Sequence, residues 1–217
     1  MTVLDHTFLV TAQDFFGQLS RNNDRDWWQA NRGTYDSVIK PGADAILTTL
    51  TPRFADLLGE EVTPKLFRPY RDTRFSKDKT PYKEHLHMRW QVQGGRDPVA
   101  LFFGIEPTRV RVGGGIMGLG KPVLEDWRKF VDLDGPRVMK IVEQVEQSGF
   151  VFFEPDLLRV PRGYAPDHPG GRLLRMKSVI ATRDVTLPPD QTIPDAVFAA
   201  LTQFRPLIDL MISVSCA

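Results

Sequence analysis

Residues 65–89 hold the densest set of side chains able to do chemistry. Eight lysines and arginines (Lys65, Arg68, Arg71, Arg74, Lys77, Lys79, Lys83, Arg89) stand there against three carboxylates (Asp72, Asp78, Glu84), a local charge of +5 in a chain of net +1. Arginine presents a planar fork of donors matched to carboxylate or phosphate, and lysine a mobile point charge. Thr73, Ser76, Thr80 and Tyr82 add hydroxyls, and Phe75 and Tyr82 offer rings on which a base can stack. This mixture suits a phosphate-bearing ligand, either a nucleotide or a nucleic acid, held by Arg71, Arg74, Lys77, Lys79 and Lys83. A structural alternative stands beside it, in which Asp72 and Asp78 pair with neighbouring cations and order a loop. A total charge so near zero argues against a basic coat over the whole surface.

A second polar concentration spans 159–177, with Arg159, Arg162, Tyr164, Asp167, His168, Arg172, Arg175 and Lys177. Folded against the first segment, it would share a positive cleft, adding Arg162 and Lys177 to the anion-binding set. Asp167 could then orient His168 for proton transfer, with Tyr82 as a further proton carrier. The opposing reading makes His168 a turn residue beside Pro169. His85 and His87 lie two apart on an expected strand and share a face, but nothing in the sequence completes a metal site around them. No metal is therefore expected. Gly113-Gly114-Gly115 fits neither a Walker loop nor a dinucleotide fingerprint, and reads instead as a bulge or tight turn with positive φ. No nucleophile elbow is present, and no cofactor is indicated.

These residues need a scaffold. Thr11 with Asp14 reads as a capping box opening a short helix that carries Phe15, Phe16 and Leu19. Asn22-Asn23-Asp24 breaks and recaps the chain, Pro41-Gly42 interrupts the next helix, and Leu47, Leu50, Phe54 and Leu57 mark another. From Leu86 the period changes to two: Leu86, Met88, Trp90 and Val92 alternate with polar neighbours, and Val99, Leu101, Phe103 and Ile105 repeat the pattern. Val110 and Val112 return antiparallel after the turn at Glu106–Arg109, with the three glycines ending that hairpin. Pro122 and Pro136 open two helices, Ser148-Gly149 stops the second, and Phe150–Phe153 forms a short strand. Ser178–Leu187 is a last strand, and a C-terminal helix from Ile193 is kinked or broken near Pro206.

Strands in the middle and helices at both ends predict an α+β fold. Residues 8–212 are expected to form one domain, with a central, mainly antiparallel sheet and helices from the N- and C-terminal parts packed on it. At 41% hydrophobic and 25% charged residues the composition is that of a folded chain rather than a disordered one. Cys216 is the sole cysteine, so no disulfide framework arises. No secretory leader and no apolar run of membrane-spanning length are read, which leads to the expectation of a cytoplasmic protein without a membrane partner.

The run Arg71–Lys83 resembles the hallmark of the domain of unknown function 2461 family. Further pieces appear in order: Asn22-Asn23 before Trp27-Trp28, the glycine triplet, Pro161-Arg162-Gly163-Tyr164 before Asp167-His168-Pro169, and Leu173-Leu174 before Lys177. The similarity covers roughly residues 8–212 and implies a single α+β domain, without an activity to carry over. Arg159 stands where the family usually has lysine, and Gly104 where histidine is common. Three functions are thus in play: a binder of phosphate-bearing ligands, an enzyme acting on an anionic substrate between 71–83 and 159–177, and a scaffold or partner-binding module.

Overall fold

The computed structural model describes residues 4–216. Helix α1 (His6–Arg21) begins at Asp5, whose carboxylate accepts from the Thr7 and Phe8 amides. The expected cap at Thr11 is therefore corrected. Thr11 lies inside the helix, its hydroxyl turned back to the Thr7 carbonyl, because Phe8, Leu9 and Ala12 extend the buried face by more than a turn. Asp24 caps α2 (Arg25–Thr34) by accepting from the Trp27 amide.

The break expected at Pro41-Gly42 does not occur. A π-helical turn, Tyr35–Ile39, joins α2 to α3 (Lys40–Leu58), and the Lys40 N–H reaches back to the Tyr35 carbonyl. This wider register places Pro41 in the first turn of α3, where its missing N–H costs little. A Cβ on Gly42 would lie 2.0 Å from the Phe8 ring, so this glycine sets how closely α1 approaches α3.

Six antiparallel strands form one sheet: β1 (Val62–Leu66), β2 (Leu86–Val92), β3 (Val99–Ile105), β4 (Val110–Ile116), β5 (Val151–Phe152) and β6 (Val179–Asp184), in the order β1-β2-β3-β4-β6-β5. Side chains in β2 and β3 alternate strictly between buried and half-buried. Leu86, Met88, Trp90, Leu101 and Phe103 face the helices, while His87, Arg89, Gln91, Ala100 and Phe102 face away. Helices α1 and α3, with α7 (Ile193–Thr202) and α8 (Arg205–Cys216), cover the buried face. Helices α4 (Lys121–Leu133) and α5 (Gly135–Gln147) pack on α8, each with its proline in the first turn. A short α6 (Gly171–Leu174) lies against α4. The chain is thus a single α+β domain of two layers, with one sheet face left open.

The glycine triplet is a third correction. Gly113–Gly115 do not end the hairpin; they lie inside β4, paired to β3 on one side and β6 on the other. A Cβ on Gly113 would sit 2.6 Å from the Phe102 ring and 2.4 Å from the Ala181 carbonyl oxygen, so the missing side chain lets that ring lie over the strand. Only Gly115 adopts the positive φ expected of the triplet, +124°. Helices α7 and α8 meet at a 63° bend near Pro206, and among the described residues no single helix is long and apolar enough to cross a membrane.

Candidate functional site

The segment between β1 and β2 folds back on itself as a finger. The Phe67 amide donates to the His87 carbonyl, Lys83 to Pro69, and Arg71 to Pro81, with a bridge between Tyr70 and Tyr82. The finger is anchored from α2's entry: the Asn23 side chain accepts from the Tyr82 amide at 3.1 Å and donates to the Tyr82 carbonyl and the Glu84 carboxylate at 3.0 and 2.9 Å. Tyr82 is buried and stacked on Trp28, ring centroids 4.4 Å apart. Burial pushes its hydroxyl pKa up.

Much of the finger's charge is answered within it. Arg71 pairs with Asp78 at 2.5 Å and with the Thr80 hydroxyl, and Arg74 grips Asp72 in a two-point pair at 2.6 and 2.9 Å. Lys79 donates to the Thr73 carbonyl at 2.9 Å. The Thr80 backbone N–H, then Arg71, hold the Asp78 carboxyl down at about 2. The ion pairs set the loop's shape and hold Phe75 at its tip, 97% exposed. Lys77, also exposed, enters no ion pair among the described residues.

Three cations meet beside one ring at the finger's base. Lys65 and Lys83 each place Nζ 5.1 Å from the centre of the Phe67 ring, and the Arg89 guanidinium lies 5.7 Å from it. Phe67 in turn stacks on His87 at 4.6 Å. Strand register brings these groups together: Lys65 pairs with Arg89, Arg89 with Phe102, Phe102 with Gly113, and Gly113 with Thr182. The result is a basin of about 360 Å³ on the open face. Its floor is the backbone of Gly114 and Gly115 with the side chains of Ala100 and Ile180, its walls are Phe67, Phe102 and Phe153, and Arg89 and His87 lie at one end. Among the described residues, no carboxylate lines it.

Arg89 is the unusual residue. It is half-buried, its Nε is shut off from solvent without a hydrogen-bond partner, and its guanidinium enters none of the ion pairs among the described residues. Burial, then the charges of nearby His85, Lys83 and Arg89, push the His87 pKa down to about 4, and burial also lowers that of His85. Near neutral pH the imidazole of His87 is uncharged, and the positive field of the basin comes from Arg89, Lys65 and Lys83. Burial first, then Arg68 and Lys65, lower the pKa of Lys83, as expected for cations crowded without counter-charges.

The second polar segment lies elsewhere. It joins β5 to β6 at the far edge and the opposite end of the sheet, some five strand spacings or ~24 Å from the edge that carries the finger. No cleft is shared between 71–83 and 159–177, so Arg162 and Lys177, both exposed, do not join the finger's cations. His168 is oriented by Asp132 of α4, at 3.2 Å from Nε2, and its Nδ1 accepts from the Gly170 amide at 2.9 Å; Asp167 is exposed. Arg159, Arg172 and Arg175 line a separate cavity of about 450 Å³. His85 and His87 have ring centres 6.0 Å apart, and among the described residues no group of three or more His, Cys, Asp or Glu side chains converges.

Alternation along β2 already put His87 and Arg89 on one face, but nothing local to the sequence linked them to Phe67, Phe102 or the glycines. A family model described as "Conserved hypothetical protein (DUF2461)" matches residues 11–209. No curated protein matches the chain.

Proposed function

The chain belongs to the DUF2461 family, whose description assigns no activity, and from the geometry of the open face we propose that it binds a phosphate-bearing ligand of the nucleotide class in the basin between Phe67 and Phe153. Arg89 carries the proposal. A half-buried guanidinium that enters no ion pair among the described residues, and whose Nε has no hydrogen-bond partner, is compensated only in part by the Phe67 ring, and an anion entering the basin supplies a counter-charge to its outer N–H groups. Lys65 and Lys83 add charge for a dianion, and the aromatic walls over a low floor of glycine, Ala100 and Ile180 suit a flat apolar body. The basic stretch thus acts through its two ends, while Arg71 and Arg74 near its middle build the finger.

Titration calorimetry with nucleoside mono- and diphosphates at two salt concentrations tests this. Affinity should fall with salt, and Arg89→Met should weaken binding ~10- to 150-fold, the range for a hydrogen bond to a charged group. Nucleotide affinity that is unchanged in Arg89→Met would remove the proposal. A structural role for Arg71 is favoured by its pairing with Asp78 and Thr80. Arg71→Ala should therefore open the finger to proteolysis and leave nucleotide affinity in the basin intact.

A further inference from the structure

The finger tip carries a feature that the basin does not use. Phe75 is 97% exposed, yet its loop is held by the Arg71–Asp78 pair, the two-point Arg74–Asp72 pair and the Lys79–Thr73 bond. The ring is therefore displayed on an ordered support, with the Arg74 guanidinium 5.9 Å from its centre. Lys77 and Lys79 flank it with charge that no carboxylate neutralises among the described residues. The finger's other end meets the basin directly, because Lys83 lies 5.1 Å from the Phe67 ring that forms a basin wall.

Resting on the reading of the basin as a phosphate site, we infer that the ligand is a single-stranded nucleic acid, which runs from the basin along the finger and stacks a base on Phe75. The ribbon from Phe67 to Arg71 extends the path by roughly 13 Å at ~3.3 Å per residue, beyond the reach of one nucleotide anchored at Arg89. A strand of several nucleotides bridges it. Its phosphates meet Lys83, Lys77 and Lys79 in turn, and an unpaired base offers a face to the exposed ring. An open antiparallel face bearing aromatic rings and cations suits unpaired bases, which splay out and stack, whereas a duplex keeps its bases inside. An anionic lipid surface fits less well. Phe75 is the one apolar side chain at the tip, and Thr73, Ser76 and Thr80 around it are polar.

The test compares a labelled oligo-dT decamer, dTMP, a decamer duplex and phosphatidylserine vesicles, each against the full chain and its Phe75→Ala and Arg89→Met variants. The decamer should bind at least tenfold more tightly than dTMP and the duplex. Phe75→Ala should weaken the decamer ~5- to 150-fold, the range for one stacked base, and leave dTMP unchanged. Lys77→Gln should flatten the salt dependence by about 0.7 in log–log slope, as for one phosphate no longer neutralised. Because Phe75 is solvent-exposed, its replacement leaves the melting temperature in place. If dTMP binds through Arg89 while the decamer gains nothing and Phe75→Ala is silent, the strand inference is overturned and the basin reading stands. If neither dTMP nor the decamer binds, both fall. Phe75-dependent vesicle binding without oligonucleotide binding overturns the strand in favour of a lipid surface.

Discussion

Replacing Arg89 by methionine should make the protein more stable. A buried donor without a partner costs about 1–3 kcal/mol, and Arg89 Nε is such a donor. Methionine keeps an unbranched stem against Phe67 and removes the donor together with one of three cations that crowd the ring. Against this stand the forfeited cation–π attraction, about 0.5–1 kcal/mol at a partly exposed site, and some reduced packing of the guanidinium stem. The balance is a gain of about 1 kcal/mol, a rise of roughly 2–4 °C in melting temperature for a chain of this size. Scanning calorimetry and urea denaturation without ligand read the change directly. Adding nucleotide far above the Kd of both chains then reverses the order, because the parent chain gains more stability from its tighter binding than the variant does. A ligand-free variant that is less stable by about 1 kcal/mol or more would show Arg89 to be a structural residue, and the case for the basin would go with it.

Three further outcomes follow from the same geometry. His87, at about 4 when folded against an ordinary 6.5, takes up its proton more readily in the unfolded chain. Stability should therefore fall as pH drops from about 6.5 to about 4, by roughly 2–3 kcal/mol in total after allowance for partial exposure, and His87→Phe should flatten that slope in urea titrations. Gly115→Ala should destabilise by more than ~2 kcal/mol or yield no folded protein, since the added carbon falls 1.9 Å from the Val179 carbonyl oxygen at a φ of +124°. Circular dichroism melts of the variant check it. Asn23→Ala strips three hydrogen bonds from the finger's base and should cost ~1–3 kcal/mol, with tryptic cleavage between Arg71 and Lys83 as the local readout.

Periodicity carried much of the fold. The alternation from Leu86 to Val92 and from Val99 to Ile105 marked two central strands because each buries one face and leaves the other partly open. First-turn prolines at 122 and 136 located α4 and α5 for an equally local reason. Strand β1 was missed because Thr63, Pro64 and Lys65 are all exposed at a sheet edge, which leaves no apolar rhythm. Helix α3 runs past Pro41 because the π-helical turn before it absorbs the proline, a backbone register that residue types do not announce. The same division holds at the candidate site. The charge excess of residues 65–89 was visible in the composition, but which cations are answered was not. Arg71 finds Asp78 only when the finger closes, and Arg89 meets Phe67, Phe102 and the β4 glycines only through cross-strand pairing. Likewise, His168 takes Asp132 from a helix distant in the chain, in place of its neighbour Asp167.

The two margins of the sheet bear on what a bare face would otherwise invite. A sheet uncovered on one side can recruit a neighbour's strand at its rim and grow into an assembly. Here one rim is β1, where Pro64 has no amide hydrogen to donate and Lys65 adds charge, and the other is β5, a mere two residues long. Neither offers a template for strand addition, so the face can stay open to solvent without the chain polymerising through its sheet.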